Sequence, residues 1–401
     1  RRVKPRETTI QALGYPALLS AEARLLLLLS RLRLTADEVA ECRALLSGES
    51  LRFSSLTFYL LRHRVAPMAH RSLVREGLIR LYAPKWRSIL SLHSAAVRAR
   101  NRVLYQAVTP VLNNLVRAGL KPVVLKGTWL NNAIYPEPVR YQSDVDILFA
   151  EAELSRACEV IEGCDFVQGF RADDLLSIRP ATRQEKVSRR LTMHEVVPFL
   201  SMAADPFCDF VEIDVQFDIF ARGRNLSFDF DLSPLFAAAR PAPLFGGRAS
   251  AYALSLENNV LQLCAHFYRD ATTMAGIASG SNCDVSQLAD IYEVLQFAGR
   301  TFDWDLLLSR VAGTRAAAMV YFALAHVDWV YGPLVPPPVL EALRTDDEIL
   351  CRYAVETDQP RTWDRPFLDR VFAIDGGSDA SVLTPGTRLE YDRLVSAVRP
   401  G

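Results

Sequence analysis

The hydrophobic positions of this chain follow two different spacings, which divide it into a helical part, a mixed part and a second helical part. Apolar residues three and four positions apart predict helices before residue 120 and again at 255–345. Between them, short apolar or alternating segments predict strands. The predicted helices of the first part are residues 17–32, 35–46, 56–64, 67–76 and 84–120, the last one broken at Pro110. The predicted strands are residues 122–125, 143–149 and 209–217, and a helix is predicted at 151–162.

These elements predict an α+β fold, in which a small core with a mixed sheet is flanked by N-terminal and C-terminal helical regions. Thr35 and Ser255 are predicted helix N-caps, since a hydroxyl side chain accepts hydrogen bonds from free backbone N–H groups at a helix start. The predicted parts are an N-terminal helical region at 1–120, a core at 121–252, a C-terminal helical domain at 253–345 and a tail at 346–401.

One predicted strand carries two carboxylates on a single face. Alternate side chains of an extended segment point the same way, so Asp144 and Asp146 leave one side while Val145 and Ile147 leave the other. Mg²⁺ takes hard oxygen ligands, usually a few carboxylates together with waters and substrate phosphates. The pair therefore predicts a platform for metal and nucleotide.

A second alternating strand offers a third carboxylate. In residues 209–218, Glu212 and Asp214 share one face, while Val211 and Ile213 share the other. Placed beside the first strand, this segment would bring one more acid to the metal. A half-exposed edge strand with a solvated acidic face is the alternative interpretation.

A glycine turn precedes the first acidic strand. The apolar run 122–125 ends at Lys126, Gly127 and Thr128. Glycine permits a close approach that a side chain would block, and a turn into a helix presents free amides to phosphate. Lys126 has two interpretations, a phosphate contact or an ordinary solvated lysine that closes a strand.

This order of strand, glycine turn, helix and diacidic strand resembles the DNA polymerase beta-like nucleotidyltransferase superfamily. The individual motifs are similar to a bacterial branch described as uncharacterised nucleotidyltransferases. They are residues 125–127, 135–136, Arg140 and 143–148, with weaker similarity at 65–70 and 302–307. The resemblance covers roughly residues 50 to 345.

The resemblance implies a Mg²⁺-dependent nucleotidyltransferase that uses an NTP as co-substrate and releases pyrophosphate. Asp144 and Asp146 would bind two Mg²⁺ ions, with Glu212, placed slightly ahead of Asp214, as the third carboxylate. The predicted nucleotide contacts are Lys126, Gly127, Thr128, Arg140 and Ser143. The chain departs from the family pattern in three places: Thr128 replaces the usual serine, the gap to Asp144 is longer, and Asp214 stands where the branch commonly has His.

Several polar residues keep two interpretations each. Arg140 either clamps the triphosphate or pairs with a nearby carboxylate. His266 and Asp290 either reach the nucleotide or acceptor, or tie two helices together. Five basic residues in 179–190 either contact an anionic ligand or form a solvated face, and His194 is predicted to be structural.

The composition narrows the choice of partner. The chain has 46 basic and 46 acidic residues, so it carries no net positive charge to attract a nucleic-acid backbone. A nucleic acid is therefore an unfavoured partner. Seven scattered cysteines predict neither a disulfide framework nor a zinc knuckle. No apolar run approaches the roughly 20 residues of a membrane span, and the basic start lacks the apolar stretch of a signal peptide, so we expect a cytoplasmic protein without a membrane partner.

The resulting expectation is nucleotidyl transfer to a small-molecule, peptide or protein acceptor, with natural-product tailoring as the suggested setting. The first alternative is a catalytically silent nucleotide-binding or scaffold protein. The second is a resistance enzyme that modifies an antibiotic hydroxyl, which shares the chemistry and differs only in the acceptor. The sequence does not predict the oligomeric state.

Overall fold

The computed structural model describes residues 19–172, 176–223 and 225–373, and the α+β fold is confirmed. The N-terminal helices are α1 (Ala21–Leu29), α2 (Ala36–Leu46), α3 (Phe53–Arg62), α4 (Ala66–Arg75) and α5 (Pro84–Arg117). The middle of the chain contributes helices α6 (Lys126–Ala133), α7 (Leu154–Glu162), α8 (Arg183–Thr192) and α9 (Ser233–Ala238). The later helices are α10 (Leu256–Thr272), α11 (Met274–Ala278), α12 (Val285–Ala298), α13 (Trp304–Val311), α14 (Ala316–Tyr331), α15 (Pro337–Leu343) and α16 (Phe367–Val371).

A mixed sheet lies between the two helical parts. Its strands are β1 (Val123–Val124), β2 (Val145–Leu148), β3 (Val167–Arg171), β4 (Ile178–Pro180), β5 (Phe199–Asp205), β6 (Cys208–Gln216), β7 (Arg240–Leu244) and β8 (Ala249–Ala253), in the spatial order β4-β3-β5-β6-β2-β1-β8-β7. β2 is parallel to β6 and antiparallel to β1. A short hairpin of β9 (Arg352–Tyr353) and β10 (Arg361–Thr362) lies outside this sheet. The predicted strands are present as β1, β2 and β6, whereas β3, β4, β5, β7 and β8 were not predicted.

Helix α5 covers the apolar side of the sheet. It packs against β6 and β8, while Val145, Ile147, Ile213 and Val215 are all 0% exposed. Buried side chains from the N-terminal helices, the sheet and the later helices form one continuous hydrophobic core. Because the apolar side chains on one face of β2 and β6 pack into this core, the acidic side chains of these strands point from the opposite face.

The predicted caps are present, but the predicted break at Pro110 is wrong. Thr35 accepts from Glu38 N in a capping box, and the Ser255 hydroxyl accepts from Asn258 N. Helix α5 runs through Pro110 as a single helix. A proline inside a helix costs about 3 kcal/mol. Val108, Val111 and Leu112 are fully buried on either side of it, and this packing outweighs the lost backbone hydrogen bond.

The predicted tail packs back onto the N-terminal helices as far as it is described. Tyr59 OH of α3 donates to Phe372 O at 2.8 Å, and His63 Nε2 lies 3.1 Å from Val371 O. Residues 374–401 of that tail lie outside the described residues, as do 1–18. Among the helices that the structure describes, none combines the length and apolar character needed to cross a membrane.

Candidate active site

The predicted carboxylates meet on one face of two neighbouring parallel strands. Asp146 of β2 lies directly beside Asp214 of β6 in the register, and Asp144 immediately precedes β2. Glu212 is two residues before Asp214, so its side chain leaves the same face. We call Asp144, Asp146, Glu212 and Asp214 the acidic cluster.

The acidic cluster holds like charges close together in a partly desolvated place. Burial raises the pKa of Asp144 to about 6, with the charges of Asp146 and Glu212 adding to the effect and Lys126 opposing it. Burial likewise raises the pKa of Asp214 well above its ordinary value, and neighbouring carboxylates add to it. Like charges that disfavour each other's ionisation are typical of sites that a cation completes.

Glu195 is a fifth carboxylate at this face, and the sequence analysis did not identify it as one. It forms a bridge opposite Gln216 in an antiparallel extension of β5, and Val196 N donates to Val215 O at 3.0 Å. Residues directly opposite each other in antiparallel strands point to the same face. Its charge is the leading electrostatic cause of the raised pKa of Asp214.

Lys126 joins the glycine turn to the acidic cluster. Its Nζ lies 2.6 Å from Asp146 Oδ1, and Gln216 Nε2 donates to the same oxygen at 2.6 Å. Burial lowers the pKa of Lys126, but Asp146 and Asp144 outweigh this and leave it raised. The backbone of Lys126 is in the left-handed region at φ 43°, a conformation that is costly for a residue other than glycine. Lys126 is thus a largely buried partner of Asp146, with 11% of its side chain exposed.

Gly127 allows the turn to lie close to the segment that precedes β2. A Cβ atom there would lie 2.7 Å from Arg140 Nη1 and 2.7 Å from Gln142 Cγ, closer than real Cβ contacts. Thr128, one residue on, is 0% exposed, and its hydroxyl accepts a hydrogen bond from Gln142 Nε2. The expectation that Gly127 and Thr128 cradle phosphates stays a prediction.

Gln142 and Arg100 hold Asp144 in place, and the sequence analysis identified neither. Gln142 Nε2 donates to Asp144 O at 2.9 Å, while its Oε1 accepts from Tyr105 OH at 3.2 Å. Arg100 Nη2 of α5 donates to Ser143 O at 3.0 Å. Ser143 in turn donates through its hydroxyl to Asp144 Oδ2 at 3.1 Å. Helix α5 therefore positions the first acid through these hydrogen bonds.

Arg140 has a carboxylate partner in this structure. Its Nε donates to Asp290 Oδ2 at 2.7 Å, and Tyr135 OH donates to Asp290 Oδ1 at 2.7 Å. Burial lowers the pKa of Arg140, but Asp290 and Tyr135 outweigh it and raise the value. Asp290 is 1% exposed, so this pair ties α12 to the segment before β2. Its geometry corresponds to the interpretation in which Arg140 pairs with a carboxylate.

A small polar pocket adjoins Asp146 on the side of α10. Its polar lining consists of Lys126, His194, Gln216, Gln262, His266 and Arg269. His266 and Asp290, considered together in the sequence, have separate partners: His266 Nδ1 accepts from Arg269 Nη2 at 2.9 Å, whereas Asp290 binds Arg140.

The basic stretch 179–190 is largely paired with acids of the chain itself. Arg179 Nη2 lies 2.8 Å from Glu185, and Lys186 Nζ lies 3.2 Å from Glu162. Arg189 pairs with Glu195, which brings α8 to the edge of the acidic cluster.

The comparison with family models decides the family. A model described as an uncharacterised nucleotidyltransferase matches residues 50–332. The chain belongs to this family. No curated protein and no solved structure matches it. The family expected from the motifs at 125–148 is confirmed, whereas the DNA polymerase beta-like superfamily stays a prediction. Membership supports nucleotidyl transfer as the general activity, with an NTP as substrate.

The acids of this nucleotidyltransferase family member fit a hard cation by donor type. Asp144, Asp146 and Asp214 offer carboxylate oxygens, and burial, with the neighbouring carboxylates adding to it, raises the pKa values of Asp144 and Asp214. In the arrangement of the described residues, no group of three or more His, Cys, Asp or Glu side chains is placed to hold a metal. Asp146 Oδ1 is engaged by Lys126 and Gln216 instead.

Proposed function

We propose that this protein is a Mg²⁺-dependent nucleotidyltransferase of the DNA polymerase beta-like superfamily, which moves NMP from an NTP to an acceptor and releases pyrophosphate. The observation that carries the proposal is the acidic cluster, in which Asp146 lies beside Asp214 on parallel strands of the matched region. Mg²⁺ bound there would neutralise the charge that develops as the α-phosphate is transferred.

Asp144 and Asp146 are the proposed metal ligands, and we now favour Asp214 over Glu212 as the third. Asp214 lies directly beside Asp146 in the register. Glu212 is engaged by Arg171, whose Nη2 lies 3.0 Å from Glu212 Oε2. The initial preference for Glu212 rested on the resemblance, and the observed register supports the neighbouring acid.

The acceptor is proposed to be a small molecule, a peptide or a protein side chain. The charge balance of 46 basic and 46 acidic residues supports this over a nucleic acid, because a polyanion would need a basic surface. A role in natural-product tailoring is part of the same proposal.

A second candidate function is nucleotide binding without catalysis. The observation that favours it is the engagement of Asp146 Oδ1 by both Lys126 and Gln216. A cation would have to compete with the Lys126 ammonium for this oxygen. A protein in which Lys126 permanently replaces the metal would bind a nucleotide through its cations and leave it intact.

Calorimetric titration of each NTP, with and without Mg²⁺, tests the proposal. The native protein is compared with an Asp144→Asn/Asp146→Asn variant and with Asp209→Asn, which removes an exposed carboxylate from the neighbouring strand β6. We expect Mg²⁺-dependent binding that is lost in the double variant and kept in Asp209→Asn. Binding that is indifferent to Mg²⁺ would favour the non-catalytic function, and no binding of any NTP to folded protein would reject both.

A further inference from the structure

An exposed apolar groove runs along the N-terminal half of helix α5. Leu92, Ala95, Ala96 and Ala99 are three and four residues apart, so they share one side of the helix. Phe207, from the turn between β5 and β6, completes the apolar lining. Leu92 is 70% exposed and Phe207 is 51% exposed. Large apolar side chains that gather in one exposed groove, instead of lying scattered, mark interaction sites.

The groove lies in a basic part of a chain whose total charge is balanced. Residues 77–136 contain nine Lys and Arg side chains and no Asp or Glu. Two of these cations, Arg98 and Arg102, line the groove one helical turn apart. Among the described residues, neither of them is paired with a carboxylate. The groove therefore offers an apolar surface with two uncompensated guanidinium groups beside it.

Arg100 connects this groove to the acidic cluster. Its Nη1 donates to Phe207 O at 3.4 Å, and its Nη2 donates to Ser143 O at 3.0 Å. The Ser143 hydroxyl donates in turn to Asp144 Oδ2 at 3.1 Å. A single guanidinium group thus lies between the wall of the groove and the segment that carries the first acid of the site.

Apolar side chains beside two arginines are suited to a peptide that carries apolar residues next to Asp or Glu. The carboxylates would pair with the guanidinium groups, and the apolar side chains would be removed from water. A nucleic acid is less suited, because three of the five apolar lining residues are alanines, which offer neither charge to phosphate nor a ring to bases. A second copy that used the same basic face would bring like charges together.

We propose that this groove docks an acidic segment of a peptide or protein acceptor. Its apolar side chains would pack between Leu92 and Phe207, and its carboxylates would bind Arg98 and Arg102. The acceptor role rests on the proposed function. The inference narrows the acceptor class to a chain long enough to carry a docking segment in addition to the group that is modified.

Selection of a phage-displayed library of random peptides on the full chain tests the docking. We expect the enriched peptides to combine Asp or Glu with Leu, Ile or aromatic residues. Synthetic copies of them should bind more weakly as the salt concentration rises, because salt screens exposed charges. A library that yields no enriched peptide, or only peptides without acids, would overturn the inference.

The charged part of the groove is tested by Arg102→Glu, which reverses an exposed cation. Affinity for a selected peptide, measured by fluorescence anisotropy, should fall about tenfold or more. Arg117→Glu is the matched control, because it makes the same charge change at an exposed position of α5 outside the groove. Equal losses in the two variants would mean that the peptide responds only to the total charge, and the site would be rejected.

The apolar part is tested independently by Phe207→Ser, which should weaken the same peptide about fivefold or more. This change keeps the backbone carbonyl that accepts from Arg100. Phe297→Ser is its control, because Phe297 is 62% exposed on α12 and does not line the groove. Affinity that is the same in both serine variants would show that the peptide binds elsewhere.

Other occupants would be recognised by two further measurements on the same variants. A pool of random single-stranded oligonucleotides that binds the native protein but not Arg102→Glu, in the absence of any enriched peptide, would assign the groove to a nucleic acid. Sedimentation of a native dimer that Phe207→Ser dissociates would assign it to a second copy. Either result would overturn the inference.

Label transfer separates the docking from the proposed function. Selected peptides extended by random residues are incubated with the protein, Mg²⁺ and NTPs labelled at the α-phosphate. Transfer would bond a peptide hydroxyl oxygen to the α-phosphorus, break the bond to pyrophosphate and release the hydroxyl proton to solvent. We expect Arg102→Glu to label the peptides about tenfold less than the native protein, with NTP affinity unchanged.

Each outcome has a separate meaning. Equal labelling by the native protein and Arg102→Glu overturns the docking and leaves the proposed function standing. Peptide binding without labelling, in a protein that binds NTP, keeps the docking surface and rejects its acceptor role. Peptide binding by a protein that binds no NTP rejects the proposed function and keeps the docking surface.

Discussion

Two ionic groups lie near the glycine turn, and they differ in how their charges are compensated. In the Arg140 group, Arg140 and Tyr135 both bind Asp290 at 2.7 Å, so the buried carboxylate is fully partnered. Burial raises the pKa of all three carboxyl groups, but Arg140 and Tyr135 oppose that rise at Asp290, whereas neighbouring carboxylates add to it at Asp144 and Asp214. The paired Arg140 and Asp290 stabilise the fold. Repulsion among the carboxylates of the acidic cluster lowers stability, and such repulsion is typical of a site that binds a cation.

The largest expected effect comes from breaking the Arg140 group. Arg140→Ala leaves Asp290 buried without its cation, and such a loss costs about 3–5 kcal/mol of unfolding free energy. Urea unfolding at pH 7 measures it. A double Arg140→Ala/Asp290→Asn variant removes the stranded charge and should recover part of the loss. A loss below about 1 kcal/mol in the single variant, as for a surface ion pair, would show that Arg140 does not support the fold.

The acidic cluster should behave in the opposite way. The pKa of Asp144 is raised to about 6 from an ordinary value near 3.8, so the folded state binds this proton more tightly than the unfolded state. Stability is therefore lost as pH rises from about 4 through 6, and Asp144→Asn avoids that loss. We expect the variant to be more stable than the native protein by about 1–3 kcal/mol at pH 8, and by much less near pH 4.

Urea unfolding at both pH values in metal-free buffer measures this difference. Asp290→Asn is the control, because it removes a partnered carboxylate and should lower stability at pH 8. If Asp144→Asn and Asp290→Asn lowered the free energy of unfolding equally at pH 8, the acidic cluster would be a stabilising group like the Arg140 group, and the expected contrast would be wrong.

The same contrast explains how much of the site was predictable from the sequence. Alternation of apolar and acidic residues is local, so it predicted β2 and β6 and placed Asp144, Asp146, Glu212 and Asp214 on one face. The glycine turn was likewise visible, because Lys126 and Gly127 directly follow an apolar run. These features need only the neighbouring residues along the chain.

The missed residues depend on pairings between distant segments. Glu195 reaches the acidic face only because its segment pairs with Gln216, where the five residues from Glu195 to Phe199 lie opposite the four from Ile213 to Gln216. Arg269 meets Lys126 across α10 and the turn, and the partner of Arg140 is 150 residues away. Pro110 is the opposite case. The residue alone predicted a break in the helix, but the buried side chains around it keep α5 continuous.

Gly127→Ala should affect both groups at once, because the added methyl would lie 2.7 Å from Arg140 Nη1 and 2.7 Å from Gln142 Cγ. Both side chains are held by hydrogen bonds, so relief requires moving one of them. We expect a loss of about 1–3 kcal/mol in urea unfolding, together with weaker NTP binding. Gly163→Ala is the control, since its methyl would meet Glu159 O at 3.4 Å and Val160 O at 3.5 Å, which are ordinary contact distances. Similar free energies of unfolding in the two variants would show that Arg140 and Gln142 can move away from the turn at little cost.

Thr128→Val is the smallest change, and it tests whether the glycine turn binds phosphate through this hydroxyl. Thr128 is 0% exposed and its Oγ1 accepts from Gln142 Nε2, which also donates to Asp144 O at 2.9 Å. Removing the hydroxyl should therefore cost about 1 kcal/mol in unfolding free energy, with Thr128→Ser as the control that keeps it. If the hydroxyl serves only Gln142, NTP affinity should change by less than about threefold, since no direct contact is lost. A fall of about tenfold in Thr128→Val alone would instead place the hydroxyl on the triphosphate and make the glycine turn a direct phosphate contact.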